Sequence, residues 1–321
     1  MSRRNLFPAG LRIESVAQSI EEMAEQSVFW GLESQQLGRG KYEGRISAVH
    51  SGSVQLARSL RSLGTLLRGN VPRGTVVLSV PVNAPRPIFY RGGLLASSSV
   101  IALRHTEEVD FRSAGSLDML TIAVDEDRLQ KHAMALWGEP VDARRKRQRL
   151  SLAEPAARGR LVARLLQLLD AAERDSKRVV ESGPAKAFEG AVLDAILCEV
   201  ADRERPEETP MRYWLARRAA DFLHAHCREP LSIAEICAAV GANRRTLHLG
   251  FREVFGVTPM AYLTALRLNG VRAKLLNSDA RDLTITQVAM NWGFSHLGRF
   301  SINYRAHFGE SPSAMVRRVG R

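Results

Sequence analysis

The sequence predicts an α+β multidomain protein, with a β-rich N-terminal domain over residues 1–140, a helical connector over 141–205 and an all-α C-terminal domain over 211–321. Three observations predict it. In the first half, short apolar and β-branched runs are cut by Gly, Pro and Ser clusters, the punctuation of strands. From about residue 158, apolar residues recur at three- and four-residue spacing, the period of helices that bury one side. The charge is also unevenly shared: 16 Lys and Arg against 7 Asp and Glu fall in Met211–Arg321, so this third of the chain carries +9 of the net +12. A basic domain of that kind suits a polyanionic partner.

In the first domain, Val76–Val80 is a strand bounded by Pro72, Gly74 and Pro81. Ile88–Tyr90 is a second, ending at Gly92-Gly93, and Leu117–Val124 is a third, stopped by Asp125-Glu126-Asp127. Together they suggest a sandwich or small barrel. Two stretches depart from the pattern: Ile13–Phe29 has helical or mixed spacing, and Asp127–Trp137 reads as a short helix. Ala143–Arg149 is a basic run, read either as an exposed interdomain segment or as a phosphate contact. Two amphipathic helices follow. Arg158–Asp175 carries Leu161, Leu165, Leu168 and Leu169, and Ala185–Arg203 carries Phe188, Val192, Ile196, Leu197 and Val200. Their stripes suit a dimer interface or packing on the first domain. Arg203–Pro210 is a polar linker with two prolines.

Composition excludes several classes. At 45% hydrophobic and 25% charged residues, the chain is globular rather than disordered. The N-terminal MSRRNLFP holds no apolar signal, and no run reaches the ~18 apolar residues of a membrane span, so a cytoplasmic protein without a membrane partner is expected. Cys198, Cys227 and Cys237 are odd in number and show no CxxC spacing, and His50, His105 and His132 lie far apart. Neither a disulfide framework, nor a metal, nor a cofactor is expected.

The C-terminal domain is dense with boundaries. Tyr213–Cys227 is a helix with Leu215, Ala219, Phe222 and Leu223 inward, and Pro230 blocks its continuation. Ser232 and Glu235 form a capping box before Ile233–Val240, and Gly241 ends that helix. Asn243 caps Arg244–Phe255, where Leu247, Phe251 and Phe255 repeat every fourth residue and face inward. Arg245, His248, Leu249 and Arg252 then face out. This is the helix-turn-helix plan, whose second helix enters the major groove. Arg suits guanine edges and phosphates. Leu249 is either a thymine-methyl contact or an incidental exposed leucine. Pro259 opens a helix to about Leu276, long enough to hold two reading heads one DNA turn apart. The plan then repeats: Asp282-Leu283-Thr284 leads into Ile285–Trp292, Gly293 turns, Phe294 plugs the core, and Ser295 caps a helix to Phe308 with Phe300, Tyr304 and Phe308 inward.

On these residues the sequence resembles the AraC/XylS family of transcription regulators. The resemblance is carried by Leu231-Ser-Ile-Ala-Glu-Ile, Gly241-Ala-Asn-Arg-Arg-Thr-Leu, Phe251-Arg-Glu-Val-Phe-Gly-Val-Thr-Pro-Met-Ala-Tyr-Leu, Arg267-Leu-Asn-Gly-Val-Arg and, above all, Gly293-Phe-Ser-His-Leu-Gly-Arg-Phe-Ser-Ile-Asn-Tyr-Arg-Ala-His-Phe-Gly-Glu-Ser-Pro. It spans about Met211–Val316. It implies double-stranded DNA as partner, contact with RNA polymerase, a separate sensor or dimerisation domain (a cupin-like barrel by analogy), a small-molecule effector and a homodimer. The DNA-contacting positions it implies, with their helical neighbours, are Arg244, Arg245, His248, Leu249 and Arg252 in the first unit. In the second they are His296, Leu297, Gly298, Arg299, Ile302 and Arg305. Leu, Gly and Ile make poor hydrogen-bonding readers, which directs the second unit toward shape or backbone contact.

Two other readings compete with a ligand-responsive regulator. A regulator controlled by a partner or by abundance needs no effector. An enzyme fused to a DNA-binding tail would need catalytic motifs, and residues 1–210 hold no Gly-x-Ser-x-Gly, Walker loop or His-Glu-x-x-His.

Overall fold

The computed structural model describes residues 8–27, 30–91, 93–96, 99–145, 149–154, 156–175, 177–200, 211–277 and 284–319. Among them, seven strands form one antiparallel sheet in the order β1 (Arg12–Ala17), β3 (Gly44–His50), β4 (Val54–Arg61), β11 (Leu117–Asp125), β6 (Thr75–Asn83), β9 (Ser99–Arg104), β12 (Arg149–Ser151). Five more form a second: β2 (Gly31–Gln36), β5 (Thr65–Asn70), β10 (Val109–Ser113), β7 (Ile88–Tyr90), β8 (Gly93–Leu94). The stretch with mixed spacing resolves into β1 followed by the short helix α1 (Ile20–Gln26), capped by the Ser19 side chain.

The apolar runs of β6 and β11 are nearly continuous because both faces of the larger sheet are buried. Leu120, Ile122 and Val124 of β11, with Val76, Leu78 and Val80 of β6, pack toward helices. The alternate residues Leu117, Met119, Ala123 and Val77 pack toward the second sheet. The helices are α2 (Glu126–Trp137), the short α3 (Val141–Arg144), α4 (Ala157–Arg174), the short α5 (Lys177–Val180) and α6 (Ser182–Leu197). Leu161, Leu165 and Leu169 of α4 and Val192 and Ile196 of α6 are buried in the core beneath the larger sheet. Those stripes are therefore occupied within this chain. The basic run is neither free nor aimed at phosphate among its described residues. Arg145 binds Glu107 at 2.7 Å, Arg144 stacks on Trp137 and binds Glu139, and Arg149 donates to the carbonyls of Leu94 and Tyr90. The carbonyls of a sheet end and three nearby carboxylates, Glu107, Glu139 and Asp142, claim these guanidinia before any external anion can.

The C-terminal helices are α7 (Met211–Ala225), α8 (Ile233–Val240), α9 (Arg244–Phe255), α10 (Pro259–Asn277), α11 (Ile285–Asn291), α12 (Leu297–Phe308) and α13 (Pro312–Val319). The inward face of α7 is narrower than the spacing predicts. Ala216, Ala219, Ala220 and Leu223 are buried, whereas Leu215 and Phe222 are half-buried. Small residues sit there because α7 and α9 nearly touch: a Cβ on Gly250 would lie 2.5 Å from the Arg212 carbonyl oxygen.

The two halves of the chain are joined by a seam that is partly apolar and partly polar. On the outer face of the smaller sheet, Leu66 and Phe89 enter the core of α7, α8 and α9, and the buried Arg112 lies beneath the Phe255 ring, 3.2 Å from Asp110. At the end of β2, the Gln36 N–H donates to Asn269 Oδ1 (3.1 Å), Asn269 Nδ2 donates to the Gln36 carbonyl (2.9 Å), and His307 Nε2 lies 3.0 Å from that same oxygen. Arg272 of α10, almost fully buried, bridges Glu21 (2.9 Å) and Glu310 (3.0 Å).

Candidate nucleic-acid interface

Each unit is built by the same local chemistry. In the first, the Ser232 hydroxyl accepts from the Glu235 N–H and the Glu235 carboxylate accepts from the Ser232 N–H at 2.7 Å, which satisfies two orphan donors at the start of α8. The Ser232 hydroxyl also donates to the Glu235 carboxylate at 2.7 Å, and this bond, with that from the Ser232 N–H, holds the carboxyl below its usual range. Gly241 ends α8 with φ 66°, a left-handed conformation that suits glycine. Asn243 Oδ1 accepts from the Thr246 N–H at 2.8 Å and starts α9. In the second, Thr284 and Gln287 repeat the capping box at 3.2 and 2.9 Å, and Gly293 turns with φ 80°. The α12 boundary differs from expectation. Its first i→i−4 bond runs from the Phe300 N–H to the His296 carbonyl, so His296 occupies the cap position without a side-chain bond, and Ser295 lies one residue outside it.

Each unit also has its own core. Phe251, Phe255 and Tyr262 form a ring cluster with centroids 4.5–5.6 Å apart, closed by a 3.0 Å contact between the Tyr262 hydroxyl and His224 Nε2. Phe300, Tyr304 and Phe308 repeat it, with Leu268, Val271 and Leu275 of α10. The N-terminal half of α10 serves the first core and its C-terminal half the second. Its 19 residues extend for about 28 Å. A ring of Trp292 stacks where α10 carries Gly270; a Cβ there would lie 2.2 Å from the ring. Arg267 adds a tie that the residue pattern did not reveal. It donates to the carbonyls of Cys227 (2.7 Å) and Glu229 (2.5 Å) beside the first unit and Gly293 (3.3 Å) in the turn of the second. Its position in the quoted Arg267–Arg272 motif was the only signal, since a lone arginine on a helix reads as solvated.

The outward faces follow. Arg244, Arg245 and Arg252 are exposed on α9 around Leu249, itself 47% exposed. His248 is only half-buried, and its Nε2 is enclosed without a hydrogen-bond partner among the described residues. It therefore does not stand out beside the arginines as its wheel position suggested. His296, Leu297, Gly298, Arg299, Ile302 and Arg305 are all exposed on or beside α12. The structure thus brings the named positions of each unit to one helix surface, and it ties the two surfaces to one rod. Asp282 and Leu283 lie outside the described residues, as does the Arg203–Pro210 linker. Among the described residues, no group of three or more His, Cys, Asp or Glu is placed to hold a metal, and no helix is long and apolar enough to cross a membrane.

Residues 236–318 match a family model described as a helix-turn-helix domain. The chain is 39% identical over 113 residues to the "Probable thc operon regulatory protein" of Rhodococcus erythropolis, covering 35% of this chain and 34% of that protein. It is 33% identical over 101 residues to the XylDLEGF operon transcriptional activator 3 of Pseudomonas putida, covering 32% and 30%. The matched part thus spans about a third of the length of these curated relatives. A solved structure, a transcriptional regulator with an AraC-type DNA-binding domain from Chromobacterium violaceum, is 32% identical, covering 33% of this chain and 93% of that one, with a TM-score of 0.31.

Proposed function

We propose that this chain, whose helix-turn-helix domain belongs to the AraC/XylS family of transcription regulators, grips double-stranded DNA with two heads on one face of the duplex and activates transcription under the control of a small ligand. The observation that carries the reading is α10, with a separate core at each end and an outward, arginine-bearing helix on each core. In this reading α9 is the principal base reader. Arg245 and Arg252 present forks that match guanine O6 and N7, and Arg244 supports the phosphate backbone. On α12, Arg299 and Arg305 fill the backbone role. Contact with RNA polymerase and a homodimer belong to the same proposal, and the relatives named as operon activators support the sign of control.

Arg245→Ala is expected to cost about 1–3 kcal/mol on a selected site and to relax specificity at one base position. The check is a binding titration on that site and on random duplex. An equal loss on both would make Arg245 a phosphate contact instead.

Ligand control is supported by a cavity of about 110 Å³ between the two sheets of a domain we read as a cupin-like sensor. Leu67, Val109, Phe111 and Met119 give it apolar walls, and Gln55 and Arg61 are among the polar groups that line it. A dry cavity of roughly 150 Å³ takes up benzene, so a small, largely apolar molecule with one polar group is the class that fits. Such compounds are expected to raise the melting midpoint of the full chain, and Ala57→Phe, which fills the cavity from β4, is expected to abolish the rise. Flat melts across a panel of these compounds would favour control by a partner or by abundance.

A further inference from the structure

The glycines inside the C-terminal helices divide into two kinds. Gly250 and Gly270 are demanded by this chain's own packing, because a Cβ at either would strike the Arg212 backbone or the Trp292 ring. Gly298 is not. It lies in the first turn of α12, its φ is not in the left-handed region, and a Cβ there would meet nothing within 4 Å. Glycine in a helix is less stable than alanine, and no contact among the described residues requires it here. The bare backbone at 298 makes room on the outward side for something that is not this chain.

The residues around it say what. Ile302 stands one turn further along the same face, 70% exposed, and Leu297 starts the helix, 36% exposed. Exposed Arg299 and Arg305 flank them. The face is a bare, apolar centre between cationic edges. A DNA major groove is its complement: phosphates form the rims, and the apolar group on the floor is the C5 methyl of thymine.

We propose that α12 specifies its half of the DNA site by thymine methyl groups, with Ile302 packing on the methyl and Gly298 letting the helix backbone approach closely enough for that contact. This rests on the reading of α12 as a DNA-facing helix. It makes the second unit a base reader that needs no hydrogen bonds, unlike the arginine-rich α9.

The test uses the full chain and duplexes selected with it from a random pool. The part of the footprint that weakens in Arg299→Ala locates the α12 half. Each thymine there is then exchanged for uracil, which removes the methyl and leaves pairing intact. For at least one thymine, the exchange is expected to weaken binding by the native chain about fourfold, the factor one buried methyl supplies, and to change nothing for Ile302→Ala. Gly298→Ala is expected to keep or raise the melting midpoint yet weaken binding to the selected duplex roughly fivefold or more. Uracil tolerated at every thymine of that half, or a uracil penalty undiminished in Ile302→Ala, overturns the proposal while DNA binding stands. A pool from which nothing enriches overturns both.

Discussion

Phe251→Ala is expected to destabilise the C-terminal domain by about 3–5 kcal/mol and to abolish DNA binding at temperatures where the native chain still binds. Phe251 is fully buried at the point where α7, α8, α9 and α10 meet. Its ring lies 4.8 Å from Phe255 and 5.6 Å from Tyr262, the latter edge-on. Truncation removes the transfer free energy of the ring, the edge contact and the packing of both neighbours, and it leaves a void that the rigid rod of α10 cannot close. Because α9 carries both Phe251 and Arg245, loss of the core is loss of the helix proposed to read the DNA. Phe251→Leu keeps most of the volume and is expected to cost clearly less. Denaturant melts of the two variants against the native chain, followed by DNA titration below each midpoint, check this. An alanine variant within 1 kcal/mol of native would mean that the ring cluster is not what holds α9.

Acid is the second large lever. His50 and His307 are buried, and burial pushes each imidazole down to about 4, well below its ordinary value near 6.5. The Gln36 carbonyl at His307 Nε2 partly opposes that fall, and the charges of Arg39 and Arg272 add to it. The folded state therefore prefers both rings neutral, whereas the unfolded chain takes up protons below pH 6.5. Stability from these groups is fully present above that pH and is lost as pH falls from 6.5 toward 4. At pH 5 the loss is on the order of 2 kcal/mol for each histidine. The melting midpoint is expected to drop between pH 7 and pH 5, and His307→Gln is expected to flatten about a third of the drop, because His224, pushed down to about 3 by burial and by the charges of Arg68 and Arg112, contributes a further share. A midpoint that is level across that range would mean that neither ring is kept neutral by the fold.

What was legible in the residues was local. Ser232 with Glu235, Gly241, Asn243 and the fourth-residue aromatics act over one or two turns, so α8, α9 and the start of α10 at Pro259 fall where the spacing places them. Residues whose role depends on a distant partner were not legible. Gln36 meets Asn269 across 233 residues. Arg112 sits on a strand position that alternation assigns to solvent, and only the arrival of the C-terminal helices buries it. Arg145 and Arg149 looked like an open basic run because Glu107 and the carbonyls of Leu94 and Tyr90 that claim them lie about 40 to 60 residues earlier. The order of the larger sheet, in which β11 lies between β4 and β6, is likewise a long-range fact.

Strand β2 belongs to both ends of the molecule. Its Leu32 lines the cavity between the sheets, and its Gln36, four residues and about 13 Å along the strand, holds Asn269 on the rod and His307 on the second head. In the proposed function, a molecule in the cavity and a duplex on the heads would therefore act on one short length of backbone. Thermodynamic linkage makes their influence mutual: whatever factor cavity occupancy adds to DNA affinity, DNA must return to the affinity of the cavity. The coupling can therefore be measured from either end, by titrating the small molecule with and without duplex, before any promoter is known.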